Sequence, residues 1–109
     1  MNIKADKNGK IMVMKCTGSL DAECVSQFKK TSQKLVEEGN RYFVIDAGGL
    51  TFVDSMGLGA IISLMRRVQA DRGEVKIASL SPDVRMIFDL SRVDRVFDII
   101  RRHPLGVLN

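Results

Sequence analysis

Two hydrophobic periods take turns along the chain. Ile11-Met12-Val13-Met14-Lys15-Cys16 is apolar on both faces until Lys15, the pattern of a strand inside a covered sheet. The preceding Asp6-Lys7-Asn8-Gly9-Lys10 holds an Asn-Gly pair suited to the two positive φ angles of a tight hairpin, so residues 3–5 are expected to pair with 11–16. Gly18-Ser19-Leu20-Asp21 is expected to break that strand and to offer Asp21 as a helix N-cap. The period then changes to helical. Val25, Phe28, Leu35 and Val36 fall on one face with Lys29, Lys30 and Lys34 off it, which predicts a helix to about residue 38, stopped by Gly39-Asn40.

Tyr42-Phe43-Val44-Ile45-Asp46 is rich in aromatic and β-branched residues and reads as a central strand bounded by Gly48-Gly49. The next helix opens at Asp54 or Ser55. Leu58, Ile61, Ile62, Met65 and Val68 form its buried stripe, Arg66, Arg67 and Gln69 lie outside it, and Arg72-Gly73 ends it. Residues 74–79 form another strand, and Ser81-Pro82-Asp83 opens a helix whose apolar face is Val84, Ile87 and Phe88. Val96-Phe97-Asp98-Ile99-Ile100 is assigned as a strand, although Val93, Val96, Phe97 and Ile100 also fit the helical period. The sum is an α/β fold: an N-terminal hairpin leading into a mixed, mostly parallel sheet covered by helices. Ligands or partners of such a sheet favour the loops at its strand ends.

At 109 residues the chain closes one core, so residues 1–109 are read as one domain, with 101–109 as a loose tail. The 45% hydrophobic and 28% charged residues place it among ordinary globular proteins. Apolar runs such as Ala60-Ile61-Ile62 are far short of a membrane span, and the N-terminal residues lack the pattern of a secretory signal, so the expected location is the cytoplasm. The net charge of +4 is spread along the chain. Its strongest cluster, Arg101-Arg102-His103, is read as a solvated tail rather than a nucleic-acid contact, because stacking aromatics are scarce. Cys16 and Cys24 stand eight apart, and a single His cannot complete a cysteine–histidine zinc set. Both thiols are expected to be reduced and partly buried.

Thr51-Phe52-Val53-Asp54-Ser55-Met56-Gly57-Leu58-Gly59-Ala60 breaks local rules where a helix should begin, since each glycine costs about 1 kcal/mol relative to Ala in a helix. Gly57 and Gly59 either let the helix pack closely on the sheet or keep the backbone bare for another surface. Ser55 is either a simple N-cap or a hydroxyl exposed for chemistry. As a hydrolase nucleophile it would stand in Val53-Asp54-Ser55-Met56-Gly57, with Asp89, Asp94 or Asp98 and then His103 completing a triad order. Val53 in place of the elbow's first glycine argues against this. Ala47-Gly48-Gly49 lacks the lysine of a nucleotide-binding P-loop.

Asp54-Ser55-Met56-Gly57-Leu58-Gly59 resembles the D-S-S/T/A-G-L-G signature of the STAS-domain anti-sigma factor antagonist family. Gly18-Ser19-Leu20-Asp21 is similar to that family's G-x-L/I-D loop, Val44-Ile45-Asp46 to its strand before the phosphorylation loop, and Phe88-Asp89-Leu90-Ser91 with Val96-Phe97 to its closing segment. The resemblance implies that Ser55 is a phosphoacceptor supported by Asp21 and Asp54. It also implies a partner switch. The unphosphorylated form binds an anti-sigma factor that is also a serine kinase and releases the sigma factor; phosphorylation ends binding, and a metal-dependent serine phosphatase restores it. The chain would be no enzyme and carry no metal or cofactor, the ATP belonging to the kinase, and it would be a monomer when free, with no direct contact to nucleic acid or membrane. The partner surface is expected at Gly18, Ser19, Leu20, Asp21, Thr51, Val53, Met56, Gly57, Leu58 and Gly59. If strands ending near Cys16 and Asp46 are parallel neighbours, their loops share one sheet edge, and Gly57→Phe there would block binding yet spare the fold. A non-switching STAS subunit or scaffold of a transport or stress-signalling assembly is the alternative. Two departures stand out: Met56 replaces a small residue, and Pro104 and Gly106 interrupt the family's last helix.

Overall fold

In the computed structural model, which describes residues 1–91 and 98–100, the hairpin turn falls one residue later than its Asn-Gly pair suggested. Asn8 pairs with Ile11, so Gly9 and Lys10 form the turn and Gly9 takes the positive φ of 61°. The strands so joined are β1 (Asn2–Asn8) and β2 (Ile11–Leu20). Helix α1 (Val25–Glu37), strand β3 (Tyr42–Val53), helix α2 (Ser55–Ala70), strand β4 (Glu74–Ala78), helix α3 (Pro82–Ser91) and strand β5 (Asp98–Ile100) follow. One five-stranded sheet results, in the order β1-β2-β3-β4-β5, with β1 antiparallel and every later pair parallel. Val96 and Phe97 of the expected last strand, and the expected tail at 101–109, lie outside the described residues.

Each parallel step needs a crossover, and right-handed crossovers that all step the same way put their helices over the same sheet face. Met14, Ile45 and Ile77 stand side by side on that face and are at most 1% exposed. Phe28 of α1, Ile61 of α2 and Phe88 of α3 join them in a single core. The helix ends follow the sequence signals. Gly39, at φ 102°, stops α1, while the Ser81 hydroxyl accepts the Val84 amide at 3.3 Å and caps α3 just before Pro82.

Two expected strand ends are corrected. Gly18 does not break β2, which continues to Leu20; with φ 94° it sits at one of two register shifts against β3. Nor does Gly48-Gly49 end β3, which runs on to Val53. Lys15 pairs with Asp46 and Thr17 with Gly49, so β3 carries an extra residue there, and a second between Leu50 and Phe52. Gly49 is needed for closeness: a Cβ on it would run into the Thr17 side chain. The added length carries both strands to one shared edge, where Leu20 pairs with Val53.

Candidate functional site

Because Leu20 and Val53 are paired, the segments that follow them meet at the end of the sheet, and Asp54 ties them together. Its backbone amide donates to the Leu20 carbonyl at 3.2 Å. One carboxylate oxygen accepts the Gly57 amide at 2.9 Å, and the other accepts the Ala22 amide at 2.9 Å. Asp54 is therefore the N-cap of α2 and also the latch between the two loops. Asp54→Ala removes both bonds and is expected to destabilise the domain by about 1–3 kcal/mol, read as a lower midpoint in urea unfolding.

Asp21 organises the neighbouring loop. Its carboxylate accepts the Ser19 hydroxyl and the Glu23 and Cys24 amides, each at 3.1 Å. Partial burial pushes this carboxyl up, and the hydrogen bonds from Ser19, Cys24 and Glu23 outweigh that push and hold it below its ordinary value of 3.8. The stability contributed by its charged form is present above that ordinary value and is lost as pH falls through the lowered one. Asp21 does not cap α1 directly, as expected from sequence: a turn over residues 21–24 intervenes, and α1 starts at Val25.

With Asp54 as the cap, the simple N-cap reading of Ser55 is removed. Ser55 is the first residue of α2 and is exposed, and no group among the described residues hydrogen-bonds its hydroxyl. It stands at the open, electropositive end of a sixteen-residue helix that contains no acidic side chain.

The expected partner surface divides in two. Thr51, Met56 and Gly59 are exposed, and Gly18, Ser19 and Asp21 are half-buried. Leu20, Val53, Gly57 and Leu58 are interior and meet no partner. Gly57 is the main correction. A Cβ on it would collide with the Leu20 carbonyl oxygen and lie 2.8 Å from the Leu20 Cγ, so this glycine exists for packing of α2 on β2. Gly59, two residues on and turned to the opposite side of the helix, has nothing within 4 Å of a Cβ. The expectation that Gly57→Phe spares the fold is therefore overturned. Phe52, 48% exposed, was missed: it lies on the open side of β3 beside this edge, and together with Met56, 51% exposed, it gives the surface two large apolar side chains. The bulge hid it, because Thr51 and Phe52 both point outward where strict alternation would bury one of them.

The other chemistries find little here. His103 and Asp94, needed for a hydrolase triad, lie outside the described residues, as do the side chains of Asp89 and Asp98. Among the described residues no three His, Cys, Asp or Glu side chains cluster as metal ligands. Cys16 is a buried free thiol whose pKa is pushed up to about 12 by burial and by the charge of Asp46, which leaves it unreactive at neutral pH. Cys24 is a free, half-buried thiol. No described helix is long and apolar enough to cross a membrane.

Comparison with known proteins agrees with this geometry. The sequence profile of the STAS domain matches residues 2–104. A protein of Lysinibacillus sphaericus named anti-sigma F factor antagonist is 30% identical over 81 residues, 73% of this chain and 69% of its own. The crystal structure of an anti-sigma factor antagonist from Mycobacterium paratuberculosis superposes with a TM-score of 0.87 at 16% identity, over 98% of this chain and 91% of that one. The Bacillus protein SpoIIAA, an anti-sigma factor antagonist, is similar in both its solved states. Its unphosphorylated form gives a TM-score of 0.76 at 19% identity over 98% and 94% of the two chains. Its phosphorylated form gives 0.75 at 20% over 97% and 96%.

Proposed function

The chain belongs to the STAS domain family, and from that premise we propose that it is an anti-sigma factor antagonist whose binding is switched by phosphorylation of Ser55. The observation that carries this reading is the first turn of α2. Asp54 takes over the cap, so the Ser55 hydroxyl is left exposed and unbonded beside a rim of exposed apolar residues. A hydroxyl so placed is open to a kinase and, once modified, lies within the surface a partner must cover.

The switch needs no refolding. A phosphate adds about −1.5 to −2 charges, and the N-terminus of α2 stabilises such an anion internally. This fold is equally similar to the phosphorylated and unphosphorylated forms of SpoIIAA, which supports a modification accommodated in place. A partner seated over Ser55, in contrast, must desolvate the dianion next to Asp54. That loss is about 2–4 kcal/mol, or about 30- to 700-fold in affinity.

On this reading the partner is an anti-sigma factor with serine kinase activity, a metal-dependent serine phosphatase resets the switch, and the sigma factor is freed while the antagonist is bound. The chain itself is a substrate and a binding module rather than an enzyme, and the ATP belongs to the kinase. Incubation with the cognate kinase and ATP is expected to add a single phosphate, located by tandem mass spectrometry on Ser55. Ser26 and Ser63 are also exposed, but both sit within helices, where a kinase cannot extend the backbone. Equal labelling of Ser55→Ala would remove Ser55 from its role. A non-switching scaffold would show no labelling by any kinase.

A further inference from the structure

The outer side of the helical layer carries a feature that the switch does not use. A groove of about 220 Å³ runs between α1 and α2. Its floor includes Val36 and Leu64, its walls carry the hydroxyls of Ser32 and Ser63, and Lys29 and Arg67 line it from the two helices. Both cations are exposed, and among the described residues neither makes an ion pair. Lys30, Lys34 and Arg66 add positive charge on the same two helices, while α2 has no acidic residue and α1 has only Glu37, in its last turn. At the sheet edge the sign reverses, with Asp21, Glu23 and Asp54 together near the start of both helices.

We infer that the groove between α1 and α2 is a second docking site, receiving an acidic segment with an apolar side chain from the protein that covers Ser55. The inference rests on the reading of the Ser55 face as a partner surface. Charge complementarity selects the occupant: two unpaired cations flank a small apolar floor, so carboxylates meet Lys29 and Arg67 while one apolar side chain enters between them. Continuity supports it as well. Exposed Met56, Gly59 and Ser63 follow one another down α2 from Ser55 to the groove, so one partner can cover both. The lining contains no aromatic side chain on which a base could stack, which favours a polypeptide over a single-stranded nucleic acid. An acidic sheet edge and a basic groove at opposite ends of one surface also allow only one docking orientation.

The test is an amide-resolved NMR titration of the full chain with the end-blocked peptide Glu-Glu-Leu-Glu-Glu-Leu. Saturable shifts are expected at Lys29, Ser32, Ser63 and Arg67, weakening as salt rises. Lys29→Glu with Arg67→Glu should reduce affinity at least about tenfold at low salt, and Lys29→Gln with Arg67→Gln should reduce it less. These are exposed positions, and the Gln pair decides the matter if the Glu pair melts early. Absent or unsaturable shifts, affinity unchanged by the substitutions, or stronger shifts of the same amides by duplex DNA or phosphatidylglycerol vesicles would overturn the inference. Ser55→Asp should bind the peptide as the unmodified chain does. Failure of the groove is thereby separated from failure of the Ser55 switch, which is read from kinase labelling.

Discussion

Gly57→Ala is expected to destabilise the domain by about 3 kcal/mol, and Gly57→Phe to prevent cooperative folding altogether. The added Cβ meets the backbone carbonyl of Leu20, not the movable end of a side chain, and Leu20 is itself locked by pairing with Val53 and by the bond from the Asp54 amide. Relief would require α2 to lift from β2, which would open the core at Leu58 and Ile61. Gly59→Ala is the internal control. Its Cβ meets open space, so the usual helical preference for Ala should raise stability by about 0.4–1 kcal/mol. Urea unfolding of the two Ala variants reads both signs at once. Equal destabilisation by both would mean that helix propensity, not the contact with Leu20, sets the effect.

Ser55→Asp is expected to weaken binding to the anti-sigma factor by about 10- to 150-fold, or about 1.5–3 kcal/mol, with an unchanged melting curve. A carboxylate carries one charge where phosphate carries nearly two, so it reproduces part of the switch. The fold should accept it because an acidic side chain at the first turn of a helix interacts favourably with the free amides. Ser55→Ala removes a hydroxyl that has no partner within the chain and should bind as tightly as the unmodified protein. Phe52→Ala should weaken binding without affecting the melt, since this 48% exposed ring supports little of the core. Equal affinities of Ser55→Asp and Ser55→Ala in titration calorimetry would show that charge is not what the partner senses.

The sequence alone yields the order of strands and helices, because periods of two and 3.6 residues are clear wherever an element is regular. It misleads where the sheet is irregular. Gly18 and Gly48-Gly49 read as strand ends, yet they mark shifts in register that only the neighbouring strand reveals. The same bulges put Leu50 and Val53 inside and Thr51 and Phe52 outside, which erases the alternation that would have placed Phe52 on the surface. The acceptor serine is legible as a motif, whereas the cap is not assignable from it, since Asp54 and Ser55 are both good capping residues. Nor does the motif separate its glycines. Gly57 faces β2 and Gly59 faces solvent, a difference set by the rotation of α2 on the sheet. The groove between α1 and α2 was invisible for a similar reason: Lys29 and Arg67 are remote in sequence and meet only through helix packing.

The central claim is that phosphate on Ser55 changes binding without changing the fold. It is tested most directly by preparing the chain with and without phosphate from the cognate kinase and measuring, on both samples, affinity for the anti-sigma factor and backbone amide shifts. The account predicts affinity lower by about 30- to 700-fold for the phosphorylated form, with shifts confined to the neighbourhood of Asp21, Asp54 and the first turn of α2. Equal affinity of the two forms, or shifts spread through Met14, Ile45 and Ile77 in the core, would contradict it.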